Sequence, residues 1–178
     1  SIRGVGTSYT DGGVEQTVLD ISDAILKAGG RSVVATRGGR LVDRLEKSGA
    51  LVVPMPVHSK NPLTQFSNYN ALRALIRREK VDIVHVRSRA PALAAIAAAR
   101  AEHIRSVATY HGIYNAKTTL KRWYNSQMTR ADMTIANSAY TRDHILRTFP
   151  NALPERVIAI PRGVDLDRAT LNGANLAG

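Results

Sequence analysis

The chain has 178 residues, which is enough for one domain with a sizeable hydrophobic core. Hydrophobic residues make up 44% and charged residues 22%, a composition typical of a globular protein rather than a disordered one. The absence of cysteine excludes disulfides and thiolate metal sites and favours a cytoplasmic location. No apolar run approaches the roughly 20 residues of a membrane span.

The formal net charge is +11, and the sequence pI is about 10.5. A balance this basic predicts an anionic partner. Nucleic acid, an acidic membrane surface and a phosphorylated substrate all fit, and charge alone does not choose among them.

Short apolar runs of strand length alternate with helical patterns along the whole chain. Strands are predicted at residues 2–5, 31–36, 50–55, 82–86, 105–110, 132–136 and 157–160. Helices are predicted at 14–28, at 41–47, from an N-cap at Ser67, from Pro91, at 117–130, and from Ser138 to about 148. Pro54 and Pro56 suggest that strand 50–55 lies at an edge. The alternation predicts an α/β fold with a doubly wound, mostly parallel, Rossmann-like sheet.

Gly12 and Gly13 stand directly before the first predicted helix. Glycines at this position let the backbone approach a ligand closely, because no Cβ is in the way. The unpaired N–H groups and the dipole of the helix start favour phosphate or carboxylate there. A simple tight turn is the alternative interpretation.

Polar residues follow three later strands, where doubly wound sheets bind their ligands. They are Arg87-Ser88-Arg89, Tyr110-His111-Gly112 and Asn137-Ser138. The arginines could clamp an anionic substrate, since a guanidinium matches the geometry of phosphate and carboxylate; a solvated loop is the alternative.

His111 could position a hydroxyl, act as a general base or polarise a leaving group. His85 lies inside a strand and is interpreted as structural. Arg142 lies near the start of a helix, where a cation opposes the helix dipole, and this mildly favours a ligand role. The histidine spacing does not indicate a zinc site.

Two basic surfaces are candidates for contact with anionic head groups. In helix 117–130, Lys121 and Arg122 flank Trp123, while a stripe of Leu120, Tyr124, Met128 and Ala131 is expected to be core. The second surface carries Arg73, Arg77, Arg78 and Lys80. The segment Gly4-Val5-Gly6 resembles a dinucleotide fingerprint only weakly, because the third glycine is missing.

The ordered set of motifs resembles a known family. It consists of Gly12-Gly13-Val14-Glu15, Asp82-Ile83-Val84-His85, Tyr110-His111-Gly112, Ala131-Asp132, Ile135-Ala136-Asn137-Ser138 and Ile160-Pro161-Arg162-Gly163-Val164-Asp165. Together these are similar to the amino-terminal, acceptor-side domain of retaining glycosyltransferases of family 4, which have the two-domain GT-B fold. Bacterial enzymes that build lipopolysaccharide cores or other surface glycans are the nearest in pattern. Arg162 departs from the family, in which asparagine is common there.

The resemblance implies a hexosyltransferase that uses a nucleotide-sugar donor and a glycan or glycolipid acceptor, without a metal or other cofactor. It assigns His111 a role beside the reacting sugar. The remaining candidates for contact with the donor diphosphate or the acceptor are Gly12, Gly13, Glu15, Arg87, Ser88, Arg89, Tyr110, Gly112, Ser138 and Arg142.

The resemblance also implies that residues 1–167 form the acceptor-side domain and that 168–178 begin a hinge or tail. A donor-binding domain would follow the hinge and is absent from this chain, so the chain alone is expected to be inactive. The expected location is cytoplasmic, with peripheral contact at an anionic membrane. A sugar-nucleotide epimerase of the same fold and a basic nucleic-acid-binding module are the alternatives.

Overall fold

The computed structural model describes residues 3–7, 14–114 and 117–161, and for residues 3–7 and 14–15 it describes the backbone alone. The described part contains a seven-stranded parallel sheet. The strands are β1 (Arg3–Thr7), β2 (Arg31–Thr36), β3 (Leu51–Pro54), β4 (Ile83–Val86), β5 (Arg105–Tyr110), β6 (Met133–Ala136) and β7 (Val157–Ala159). The helices are α1 (Val14–Lys27), α2 (Leu41–Ser48), α3 (Pro62–Glu79), α4 (Arg89–Ala101), α5 (Thr119–Asn125) and α6 (Ala139–Thr148).

The strand order is β3-β2-β1-β4-β5-β6-β7. The chain first moves outward from β1 through β2 to β3, and then returns to place β4 on the other side of β1. This reversal creates a crevice outside the carboxyl ends of β1 and β4, which is where open α/β sheets bind ligands. The predicted Rossmann-like α/β fold is confirmed.

Hydrophobic side chains cover both faces of the sheet, as a doubly wound fold requires. The larger cluster joins α3, α4 and α6 to the sheet and includes Leu72, Ala95 and Ile145. The smaller cluster joins α1 and α2 to β2 and includes Leu19 and Leu45. Adjacent residues of β2 divide between the two clusters because side chains alternate along a strand.

The predicted strands agree closely with the structure. The bounds of β2 and β5 are those expected, and β3 lies at an edge of the sheet as its prolines indicated. β1 runs from Arg3 to Thr7 rather than over residues 2–5.

Three helix starts differ from the prediction, among them that of α5, which begins at Thr119 rather than at residue 117. α3 begins at Pro62, because Asn61 is its N-cap and the Asn61 side chain accepts hydrogen bonds from the Leu63 and Thr64 N–H groups. The predicted N-cap, Ser67, is therefore wrong and lies inside the helix. α4 begins at Arg89, two residues before the predicted start at Pro91.

The predicted helix 117–130 is divided. α5 ends at Asn125, and residues Ser126–Arg130 form a 3-10 turn. The Ser126 hydroxyl and the Gln127 amide both donate to the Trp123 carbonyl. These side chains therefore compete with backbone N–H groups for a carbonyl in the last turn of α5. The core stripe was only half right: Met128 and Ala131 are buried, whereas Leu120 is 74% exposed. Among the described helices none is long and apolar enough to cross a membrane.

Candidate functional site

A polar cluster lies on the α1 side of the sheet, at the carboxyl ends of β4 and β5. The Nε2 atom of His85 and the Oγ1 atom of Thr109 are 2.7 Å apart. Arg87 is 3% exposed, and its Nη1 atom donates a 2.9 Å hydrogen bond to the Thr17 carbonyl of α1. This contact ties the residue after β4 to the first turn of α1, which borders the crevice.

Arg87 and His111 both lie close enough to His85 to affect its electrostatics. Burial lowers the pKa of His85 to about 3, with smaller contributions from the positive charge of Arg87 and from His111. His85 is therefore neutral at pH 7, which agrees with its interpretation as a structural residue. The structure brings two of the predicted site residues, Arg87 and His111, to the same polar cluster.

The backbone of His111 is held from the neighbouring strand. The Asn137 side-chain amide donates a 2.9 Å hydrogen bond to the His111 carbonyl, and the Asn137 N–H donates to the Tyr110 carbonyl at 3.3 Å. The next residue, Gly112, borders open space, because no described atom lies within 4 Å of an ideal Cβ at that position. A substrate group could therefore approach the backbone at Gly112.

Arg89 and Tyr110 both contact Asn125, the last residue of α5. Arg89 Nη1 donates to Asn125 Oδ1 at 2.9 Å, and its guanidinium lies 4.3 Å from the Tyr114 ring centroid. The buried Tyr110 hydroxyl donates to the Asn125 carbonyl at 2.7 Å, and burial raises the Tyr110 pKa. Both side chains thus have packing roles, and a contact with ligand stays a prediction.

The two serines predicted at the site occupy N-cap positions. Ser138 caps α6, where its hydroxyl oxygen accepts a 3.1 Å hydrogen bond from the Thr141 N–H. Ser88 precedes α4, but its side chain makes no capping hydrogen bond. The buried Ser88 hydroxyl has no hydrogen-bond partner among the described residues, so it could still accept one from a ligand.

Arg142 is occupied by contacts within the chain. Its Nε atom donates to the Val157 carbonyl at 2.8 Å, and Nη2 donates to the Pro154 carbonyl at 3.4 Å. These bonds connect α6 to β7. They explain why an arginine lies near the start of a helix even when no ligand is bound. The predicted ligand role of Arg142 stays a prediction.

Three predicted residues cannot be placed by their side chains. Gly12 and Gly13 lie outside the described residues, as do the hinge residues from Arg162 onward. Glu15 belongs to α1, but only its backbone is described. Within the described part, no three His, Asp or Glu side chains cluster as metal ligands would.

Sequence reasoning missed an apolar groove between α3, α4 and α5. Its volume is about 510 Å³, and its lining includes Gln65, Phe66, Leu93, Trp123, Tyr124 and Gln127. The dipeptide Asn61-Pro62 was the available signal, because an N-cap residue followed by proline marks a helix start. Recognising it would have placed Phe66 on a helix rather than at the end of a loop.

Comparison with known proteins identifies the family. The model of the Glycosyltransferase Family 4 domain matches residues 11–168, nearly the whole chain. The chain belongs to glycosyltransferase family 4. This finding confirms the resemblance inferred from the motifs, while the lipopolysaccharide type and retention of configuration remain predictions. No curated protein matches the chain.

Solved structures support the same fold. A glycosyltransferase from Rickettsia africae is 30% identical with a TM-score of 0.82, and the alignment covers 94% of this chain and 44% of that one. HepE of Anabaena, solved with UDP-glucose, is 17% identical with a TM-score of 0.76 over 94% of this chain and 45% of its own. The UDP-GlcNAc 2-epimerase of Neisseria meningitidis is 12% identical with a TM-score of 0.63 over 89% and 46%. This family 4 domain therefore spans less than half the length of these structures.

Proposed function

We propose that this domain is the acceptor-side half of a retaining hexosyltransferase. The complete enzyme would transfer a sugar from a nucleotide-sugar donor to a lipid-linked or cell-surface glycan of the lipopolysaccharide type. The observation that carries the proposal is the family match over residues 11–168, combined with the cluster of Arg87 and His111 at the carboxyl ends of β4 and β5. The complex of HepE with UDP-glucose supports a nucleotide-sugar donor.

The proposed chemistry assigns separate tasks to the two sides of the crevice. As the bond between the sugar and the diphosphate breaks, negative charge grows on the departing oxygen, and preorganised N–H groups and cations would stabilise it. Gly12, Gly13 and the start of α1 are the proposed N–H donors, with Arg87 as a nearby cation. His111 would position the reacting sugar. The proposal includes no metal, and a donor-binding half would supply most contacts to the nucleotide.

The proposed location is the cytoplasmic face of a membrane. The net charge of +11 supports peripheral attraction to anionic lipids, since each Lys or Arg near such a surface contributes about 1 kcal/mol. Specific nucleic-acid binding is not part of the proposal.

The test is a transfer assay on the longest native polypeptide that contains these residues. His111→Ala should lower transfer by about 10²- to 10⁴-fold, the range for a catalytic side chain that handles a reacting group. Gly13→Trp should abolish it by filling the space in front of the diphosphate. His103→Asn is the matched control: His103 precedes β5, at the opposite end of that strand from His111, and asparagine tolerates its φ of 56°.

Retained transfer in both His111→Ala and Gly13→Trp would remove the site assignment. The second candidate function is epimerisation of a nucleotide sugar, which the structural similarity to a UDP-GlcNAc 2-epimerase favours. Incubation with nucleotide sugar and no acceptor separates the two, because only an epimerase would form a new nucleotide sugar.

A further inference from the structure

The groove between α3, α4 and α5 lies beside the predicted site. Ala90 lines the groove and directly follows Arg89, whose neighbour Ser88 ends the loop after β4. Gln65 of α3 closes one part of the lining, since its Nε2 atom donates a 3.0 Å hydrogen bond to the Ala90 carbonyl. A ligand in the groove would therefore extend to within one or two residues of the carboxyl edge of the sheet.

The lining and rim of the groove expose apolar side chains. Phe66 is 67% exposed, Trp123 49% and Leu93 41%. Leu63 and Leu120 are more exposed still and lie three residues before Phe66 and Trp123, on the same helix faces. Exposed apolar side chains grouped in this way are typical of an interaction site on a protein surface.

The segments that line the groove are basic and contain almost no acidic residues. Lys60 lines the groove with its Nζ atom 5.4 Å from the Tyr124 ring centroid, while Lys121 and Arg122 precede Trp123 on α5. Residues 47–78, 83–101 and 103–131, which include nearly all of α3 and the whole of α4 and α5, contain no Asp or Glu. The chain has 14 acidic residues elsewhere, so the occupant suited to this surface carries negative charge.

Two amides of the lining have unused acceptor capacity. Gln127 is 2% exposed, and its Nε2 atom donates to the Trp123 carbonyl at 2.8 Å. The buried Oε1 atoms of Gln127 and Gln65 have no hydrogen-bond partner among the described residues. Because an unpaired buried acceptor destabilises the fold, a hydroxyl or N–H group would be favoured there, and in a lipid acceptor the head group rather than the hydrocarbon chain would supply it.

We propose that this groove binds the hydrocarbon chain of a phosphate-bearing lipid acceptor. The chain would pack against Phe66, Leu93 and Trp123, and the anionic head group would lie at Lys60, which lines the groove. This inference rests on the proposed function in one respect, namely that the acceptor is lipid-linked. The binding test requires no sugar transfer, so the lipid-binding proposal and the proposed function can fail separately.

Trp123 supplies the readout because it is the sole tryptophan of the chain. The 178-residue protein is titrated with monomeric decyl phosphate, and then with the same compound carrying bromine on the alkyl chain. We expect a saturable blue shift of the emission with the first compound and quenching with the second, since bromine quenches on contact. Decanol should bind at least tenfold more weakly, because it lacks the charge that Lys60 would contact.

Matched variants test whether decyl phosphate binds in the groove. Leu93→Asp should weaken decyl phosphate binding at least tenfold, whereas Leu153→Asp should leave it unchanged. The two leucines are equally exposed, at 41% and 42%, and Leu153 does not line the groove. Phe66→Asp, at a still more exposed position, repeats the test if Leu93→Asp does not fold.

Four results would overturn the proposal. They are the absence of saturable binding, unchanged affinity in Leu93→Asp and Phe66→Asp, binding only to phosphatidylglycerol vesicles, and a concentration-dependent dimer that shifts Trp123 emission without ligand. The third would indicate docking on bulk lipid, and the fourth would indicate a second copy of the chain as the occupant. Binding of decyl phosphate without any transfer in the longer polypeptide would instead reject the proposed function alone.

Discussion

Two regions near the carboxyl edge of the sheet differ in how their polar groups are satisfied. In the cluster on the α1 side, Arg87 and His85 are held by Thr17 and Thr109, so the chain itself orients the side chains. In the groove, Gln65 and Gln127 have acceptors without donors, next to exposed aromatic rings. The first region is preorganised before any ligand arrives, whereas the second is completed by what binds there.

The largest expected effect comes from truncating Tyr110, the buried residue that directly precedes His111. Tyr110→Ala should lower the free energy of unfolding by about 3–5 kcal/mol, because Tyr110 is 1% exposed and packs against Tyr114 and Phe149. Tyr110→Phe should cost only about 1 kcal/mol, for the lost hydrogen bond to the Asn125 carbonyl. Urea unfolding measures both.

The matching truncation in the groove is Phe66→Ala. It should change stability by no more than about 0.5 kcal/mol, since its ring is mostly exposed. A cost for Tyr110→Ala as small as that for Phe66→Ala would contradict the distinction between the buried residue before His111 and the exposed lining of the groove.

Acid should destabilise the protein through His85. Its pKa is about 3 in the folded state, against an ordinary value of 6.5 for histidine, so the unfolded chain binds more protons between these pH values. Stability contributed by neutral His85 is complete above pH 6.5 and is lost progressively as the pH falls toward 3. At pH 5 the loss should be about 2 kcal/mol relative to pH 7, since one pKa unit corresponds to about 1.4 kcal/mol.

Unfolding experiments at several pH values measure this loss. His85→Gln should flatten the profile between pH 5 and 7, because glutamine does not titrate but can bond Thr109. The exposed His103 provides the control, and His103→Asn should keep the full slope. An equal slope in His85→Gln and the unchanged protein would show that another group is responsible.

The sheet could be predicted from the sequence because its signals are local. β2 and β5 each contain a short apolar run bordered by polar residues, and their bounds were predicted to the residue. The position of β3 at the edge followed from Pro54, which cannot donate a ladder hydrogen bond. Parallel pairing then brought Arg87, His111 and Asn137 to one edge without any further information.

The groove could not be predicted because its lining comes from three separate helices. Phe66, Leu93 and Trp123 approach one another only when α3, α4 and α5 pack together, and no local pattern records that packing. The contact between Arg142 and the Val157 carbonyl was missed for the same reason, since the sequence showed only a cation opposing a helix dipole. Contacts between residues that are distant in the chain therefore account for most of the features that could not be predicted from the sequence.

Helix caps offer a smaller and more specific comparison of the two regions. Ser138→Ala and Asn61→Ala should each lower stability by about 1 kcal/mol, because each removes an N-cap side chain. Their functional effects should differ. The Ser138 hydroxyl donates to Thr141 Oγ1, which donates to the Asn137 side chain that holds the His111 backbone.

Ser138→Ala should therefore reduce sugar transfer by the longer polypeptide while decyl phosphate binding stays unchanged. Asn61→Ala should weaken decyl phosphate binding instead, because it loosens the start of α3 beside Lys60 and Gln65. Parallel urea, transfer and fluorescence measurements separate the two. A shared loss of both functions in either variant would mean that the regions are coupled rather than distinct.

The smallest expected change in stability concerns Gly112. An added Cβ there meets no described atom within 4 Å, and Gly112 does not have the positive φ that strains other residues. Gly112→Ala should therefore change the free energy of unfolding by no more than about 0.5 kcal/mol. Gly49→Ala is the contrasting control, because its φ of +95° should cost about 1 kcal/mol or more.

The transfer rate of Gly112→Ala tests whether a substrate group occupies the open space beside His111. If a substrate group occupies it, the added methyl group lowers transfer while unfolding and decyl phosphate binding stay unchanged. Unaltered transfer would place the substrate elsewhere along the crevice and leave His111 without its proposed neighbour. A variant that leaves both the fold and the groove intact thus tests the preorganised region by itself.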